Sequence, residues 1–187
     1  KQILAAKGIH IYSHVLSIKD IKDDHFSVDI TDEQLEELAN KEFSVLSDEK
    51  FEKMRELILE ARKNRNSVGG KIECMIKGVP AGIGSPFFDS LESRMSTLFF
   101  SIPAVKSVSF GDLDDITQYY GSEANDAYYY DGEIVKTKTN HNGGIIGGIT
   151  NGMPILFTLG IKPTSSIALE QDTINVETHE NTKLAIV

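Results

Sequence analysis

The sequence predicts an α+β fold with antiparallel sheets, built as a single domain over residues 1–187. Three observations predict it. Residues 9–18 (IHIYSHVLSI) and 68–79 (VGGKIECMIKGV) alternate apolar and polar side chains, as half-buried strands do. Residues 47–65 and 89–101 carry apolar side chains at the helical period instead. Strands and helices then follow one another without a βαβ rhythm. No G-x-G-x-x-G or Walker motif marks a strand-to-helix junction, so a doubly wound parallel sheet is disfavoured.

Taken in order, KQILAAKG reads as the last turns of a helix stopped by Gly8, with no starting cap before it. The far end stops in apolar sequence, Leu184-Ala185-Ile186-Val187. Both ends look cut, and the chain is expected to be the central and C-terminal portion of a longer protein. In the first strand His10 and His14 share a face. As metal ligands they lack a carboxylate or cysteine at a supporting spacing, so they are read as the strand's polar face, and His25 as surface. Thr31 and Gln34 form a capping box opening a helix through Asn40. Ser47 opens a longer helix, with Phe51, Met54, Leu57, Ile58 and Ala61 as its apolar stripe and basic residues in its last turn, as the helix dipole favours.

A Gly/Pro-rich loop, residues 80–86, leads to a helix with Leu91, Met95, Leu98 and Phe99 on one face, capped by Asp89 or Ser90. After Pro103-Ala104 a strand is expected over 105–110. Residues 111–138 hold seven acids between Asp112 and Glu133, no Lys or Arg among those, and five tyrosines. That segment reads as a long loop with little regular structure, which suits a lid. Residues 140–166 (NHNGGIIGGITNGMPILFTLGIKPTSS) intersperse glycines with Ile, Leu and Phe, unlike a flexible linker. Glycine in such a setting marks a bulge or the close approach of a ligand or second backbone. Lys162-Pro163-Thr164-Ser165-Ser166 then offers a cation and three hydroxyls, which suit an anion or a polar ring edge. A glycine-kinked hairpin followed by an ordinary turn accounts for the same residues. The tail, 167–187, is expected to form a further pair of strands, with His179 exposed.

Composition narrows the function. A 40% hydrophobic and 25% charged chain is ordinary for a soluble domain, and no run is long enough to span a membrane. A formal charge of −9 argues against non-specific nucleic-acid binding. The lone cysteine, Cys74, excludes an internal disulfide and fits a reducing cytoplasm; in strand-like sequence it reads as a structural thiol. Metal binding is not expected. No triad or carboxylate pair points to hydrolysis.

Five blocks carry a resemblance: GIGSPFFDSLES (82–93), SIPAVKSVSFGD (101–112), GSEAND (121–126), NHNGGIIGGITNGMPI (140–155) and KPTSSI (162–167). In order and spacing they resemble the chorismate synthase family, densely from Gly82 onward and thinly over 9–66. The resemblance implies a β-α-β sandwich with antiparallel sheets enclosing helices, here incomplete. It implies a lyase of the shikimate pathway in aromatic amino acid biosynthesis. That enzyme converts 5-enolpyruvylshikimate 3-phosphate to chorismate by 1,4-trans elimination of phosphate, with reduced FMN as cofactor and a homotetramer as the assembly. Whether the flavin is reduced by the protein's own use of NADPH (NADP chemistry) or by an external reductase is left open by the sequence.

Carried over by position, the resemblance implies FMN contacts at Pro103 and Ala104, where the family often has Asn-Ala, so Pro103 would serve through its carbonyl. It implies close approach of the flavin at Gly147, and a turn of Lys162, Pro163, Thr164, Ser165 and Ser166 that holds the isoalloxazine and ribityl phosphate. Gly147 and the Lys162 corner are expected to cup one ring system together, with Asn140 and Asn125 as weaker polar contacts. The family's GESHG, RPxHxD, GRSSARET and GRHD segments have no counterpart here, so no catalytic residue is expected in this chain, His141 included, and the chain alone is expected to be inactive. Two other readings are a binding or scaffold domain that keeps a flavin-pocket fold without chemistry, and a different flavoprotein with a reductase activity.

Overall fold

The computed structural model describes residues 2–186. Lys1 and Val187, where the expected helix stub opens and the expected tail closes, lie outside the described residues. In chain order the elements are α1 (Gln2–Ala5), β1 (His10–Ile18), β2 (Ile21–Lys22), α2 (Asp32–Ala39), α3 (Asp48–Lys63), β3 (Gly70–Lys77), α4 (Leu91–Phe99), β4 (Val105–Phe110), β5 (Tyr128–Asp131), β6 (Ile134–Thr137), β7 (Ile145–Ile146), β8 (Ile149–Thr150), β9 (Ile155–Ile161), β10 (Gln171–Asn175) and β11 (Glu180–Leu184). The helices start where the caps say they should. Thr31 and Gln34 close the capping box, Ser47 accepts from the Lys50 N–H, and Ser90 accepts from the Ser93 N–H.

One antiparallel sheet organises the chain, in the order β2-β1-β3-β9-β4. Its two faces follow from register. On one face Ile72, Cys74 and Ile76 of β3 stand opposite Leu159, Phe157 and Ile155 of β9. Leu91, Met95 and Phe99 of α4 pack onto that face, with Phe99 stacked on Phe157 at 4.4 Å. On the other face three rows run across the strands. Tyr12, Met75 and Leu156 form an apolar row, covered by Leu35 and Leu38 of α2. A fully buried Leu or Met in such a core stabilises by about 2 kcal/mol. Next comes His14–Glu73–Thr158–Ser109, and last Ser17–Lys71–Gly160–Ser107. Helices therefore lie on both faces of one sheet. This is α+β with antiparallel sheets, and the second large sheet of a sandwich is not formed by the described residues.

Two expectations are corrected. The segment 111–138 carries more regular structure than expected: a 3-10 turn (Ile116–Gln118) and the β5–β6 hairpin, which turns at Gly132, φ 65°. Glycine first in a two-residue hairpin turn supplies that positive φ without a Cβ clash. The tail does form the β10–β11 pair, and His179 is exposed. The second correction concerns the histidines. His14 is 1% exposed, not part of a wet polar face, and His25 is tied to the interior.

Candidate functional site

The end of β9 and the start of β4 build one corner. Val105 pairs with Ile161, and the Lys162 N–H donates to the Ala104 carbonyl at 2.9 Å. Pro103-Ala104 and Lys162-Pro163 are thereby brought side by side. Ala104 turns the chain at φ 72°, a left-handed value that costs an alanine about 1–2 kcal/mol. Gly69 lets the corner close, since a Cβ there would lie 2.6 Å from the Ile161 carbonyl and 2.9 Å from the Pro163 ring. Downstream, the Thr164 carbonyl accepts from the Ser67 hydroxyl at 2.6 Å, and the Ser165 carbonyl from the Gln171 amide at 3.0 Å. The backbone of the turn is thus held. The hydroxyls of Thr164, Ser165 and Ser166 face solvent with no partner among the described residues.

A cleft of about 440 Å³ opens at this corner, over the last polar row of the sheet. Its walls carry Lys19, Lys71, Lys106 and Lys162, and no acid lines it. That is a positive concavity on a chain of formal charge −9. Beside it sits the row that the sequence reading missed. Glu73, 0% exposed, lies 2.9 Å from His14 Nε2 and 2.5 Å from His25 Nδ1, and it accepts the Phe26 N–H at 2.7 Å. Burial would push its carboxyl up, but those hydrogen bonds outweigh burial and hold it below its ordinary value. The Glu73 hydrogen bond holds His25 above its ordinary pKa, against the opposing effect of burial. Asp23 lies 3.4 Å from His14 Nδ1, and Asp114 lies 3.5 Å from His25 Nε2 and is paired with Lys22. The signal available in the sequence was that Glu73 and His14 occupy strand positions at core period; their pairing requires the β1–β3 register.

Gly147 sits elsewhere. It is exposed at the tip of the β7–β8 hairpin, φ 61°, and a Cβ added there would meet nothing. Its neighbour Gly148 packs against Ser85 and Ser90, and the Gly148 carbonyl accepts the Leu91 N–H at the start of α4. Ala104 follows the other end of that nine-residue helix, so about 14 Å of helix separates the two places. Leu91, Met95 and Phe99 fill the space beneath. Gly147 therefore lies by the start of α4 and the Lys162 corner past its end.

Asn140 and Asn125 are also away from the cleft. Asn140 is buried and donates to the Pro154 carbonyl at 2.8 Å, while Asn125 is exposed in the loop. Its neighbour Asp126 does the anchoring: it is 2% exposed and accepts from the Thr139 hydroxyl, both backbone N–H groups of His141 and Asn142, and the Asn142 amide. Burial raises its carboxyl pKa, and these four donors outweigh that and lower it. His141 Nδ1 lies 2.6 Å from Asp112, a structural pair at the base of the hairpin. The Cys74 thiol is pushed up to about 12 by burial, with Glu73 adding to it, as befits an inert thiol. Among the described residues no group of His, Cys, Asp and Glu could hold a metal ion, and no helix is long and apolar enough to cross a membrane.

A family model for chorismate synthase matches residues 1–187. The chain is 45% identical over 197 aligned positions to the chorismate synthase of Lancefieldella parvula, covering 99% of this chain and 52% of that protein. It is 41% identical over 178 positions to that of Pyrococcus abyssi, covering 94% and 48%. A crystal structure of chorismate synthase superposes with a TM-score of 0.78 at 30% identity, over 89% of this chain and 52% of that one. The chain spans about half the length of the curated relatives it matches.

Proposed function

The chain belongs to the chorismate synthase family, and on that premise we propose that the protein converts 5-enolpyruvylshikimate 3-phosphate to chorismate with reduced FMN. It would act as a cytoplasmic homotetramer. Pro103, Ala104, Lys162, Pro163, Thr164, Ser165 and Ser166 hold the flavin. The observation that carries this reading is the hydrogen-bonded junction of Ala104 and Lys162 at the mouth of a lysine-walled cleft. The residues fit such a group: one cation, three unspent hydroxyls and an open concavity match a polar ring bearing a phosphate monoester.

Reduced FMN held by these residues would supply electron density for loss of the substrate's phosphate and ring C–H hydrogen. The chain's own part is binding and orientation. The Lys162 ammonium stabilises negative charge on the reduced ring or phosphate, and the hydroxyls donate without exchanging protons. Ala104, whose carbonyl already accepts from Lys162, fixes the spacing of the two sides. Gly147, exposed at the tip of the β7–β8 hairpin with open space around it, would let the flavin approach the backbone closely. No proton-transfer role falls on these residues.

The test is a flavin absorbance titration followed by an anaerobic chorismate assay. Lys162→Met should weaken FMN at least about tenfold, since one charge-assisted contact is worth about 1.5–3 kcal/mol. Unchanged FMN affinity and unchanged chorismate formation would overturn the assignment of this corner.

A further inference from the structure

We propose that residues 113–125 form a strap tied to the central sheet, and that a single proton on His25 decides whether the strap is held or released. The proposal does not rest on the flavin reading.

The strap has one neck and one tie. At its start Asp112 lies 2.6 Å from His141 Nδ1, and at its end Asp126 accepts the His141 N–H at 2.8 Å. Both ends thus meet at one residue, as in an Ω-loop. Between them the hydrogen bonds are local: Asp115 accepts the Thr117 N–H, and Glu123 accepts the Tyr120 N–H. Among the described residues, only Asp114 joins this stretch to the rest of the chain by hydrogen bond or ion pair, through Lys22 of β2 and His25. Ile116, Tyr119 and Tyr120 are exposed, so their burial adds little to hold the strap down.

Geometry makes His25 the switch. Its Nδ1 lies 2.5 Å from Glu73 Oε1 on β3, while its Nε2 is buried, without a hydrogen-bond partner, 3.5 Å from Asp114 Oδ1. Ionised carboxylates only accept, so His25 attracts both acids when each ring nitrogen carries a proton. Neutral His25 has a single N–H, and the shorter contact keeps it on Nδ1. The Nε2 lone pair then faces the Asp114 carboxylate, acceptor against acceptor, and the tie turns repulsive. The other charged groups around this site are Lys22 on β2, Lys71 on β3, which acts on Asp114, and His14 and Asp23 beyond Glu73. The Glu73 hydrogen bond outweighs burial and Lys22 and holds His25 above its ordinary pKa. The strap is therefore tied below that raised value and freed above it. The Lys22–Asp114 pair that remains reaches solvent on both sides, and such pairs contribute little. Lys71 also lines the cleft, so lifting Asp114 away changes the charge at the cleft wall.

Hydrogen exchange read by mass spectrometry from pH 6 to pH 9 tests this, with rates corrected for the intrinsic pH dependence of amide exchange. Peptides within 113–125 should lose about fivefold in protection across that range, over an interval in which peptides from β3 and β9 stay unexchanged. Asp114→Asn removes the tie but leaves the buried contacts of Glu73 in place, and should give low protection over 113–125 at every pH. His25→Gln should likewise abolish the pH response. Lys22→Met should lower protection throughout yet keep that response. Protection over 113–125 that is flat with pH in the wild type overturns the proposal. So does a pH response that survives in Asp114→Asn, or one seen only together with exchange in β3 and β9, which would mean loosening of the whole sheet.

Discussion

Glu73 is the residue on which one end of the sheet depends. Its carboxylate is fully enclosed, and the two histidines and the Phe26 N–H all turn toward it. Removing one partner of a buried ionic cluster leaves the rest uncompensated, which costs about 3–5 kcal/mol. Glu73→Gln should therefore lower the urea midpoint by an amount equivalent to about 3 kcal/mol; a change under about 1 kcal/mol would mean the cluster is not coupled in the folded protein. The pH dependence follows with its sign. His25 is raised above 6.5, so its contribution is complete below that value and is lost as pH climbs through the higher folded value. Glu73 is lowered below 4.5, so its contribution is complete above that value and is lost as pH falls through the depressed one. This pair thus contributes most between about 4.5 and 6.5. Urea midpoints measured from pH 4 to 9 should decline on the alkaline side, and His25→Gln should flatten that limb alone. None of this was readable in a linear sequence, because a histidine at a strand's alternate position looks the same whether its face is wet or packed under a ring such as Phe26. The corner at Lys162 was legible, since its cation, proline and hydroxyls are consecutive.

At the scale of elements, the glycine-rich hairpin shows two glycines doing different things. Gly148 has φ 86°, and a Cβ would lie 2.4 Å from the Ser85 carbonyl and 2.7 Å from Ser90 Cβ, at the very start of α4. Gly147 has φ 61° with open space around it. Gly148→Ala must displace the helix terminus as well as strain the backbone, so it should cost about 3 kcal/mol or more. Gly147→Ala should cost only the left-handed strain, about 1–2 kcal/mol. Thermal unfolding of the two variants checks the order, and equal losses would show that α4 does not lean on the hairpin. The helices themselves were legible because caps are local: Thr31 with Gln34, Ser47 and Ser90 each satisfy an N–H three residues on. The β5–β6 hairpin was not. Its strands expose nearly every side chain, so the acidic, tyrosine-rich run carries no alternation between buried and wet positions.

On the scale of the whole molecule, the outer side of α4 is apolar and uncovered. The helix has no fully buried residue, Leu98 and Phe100 are 68% and 53% exposed, and Phe87 and Phe88 at its approach are 79% and 89% exposed. Those two phenylalanines also hold φ values of 45° and 63°, which bulky residues rarely adopt. Strain and exposure together mean that both residues cost stability in the isolated chain, and such pairs persist where another surface repays them. Phe87→Asn with Phe88→Gly puts residues suited to that backbone in their place. Relief of about 1 kcal/mol at each site should raise the melting temperature by roughly 4–8 °C in a domain of this size. If this face joins copies of the chain, sedimentation equilibrium of the double variant should show a smaller assembly than the parent at the same concentration. A lower melting temperature would mean that the aromatic pair, whose rings lie 4.3 Å apart, supports the loop rather than straining it.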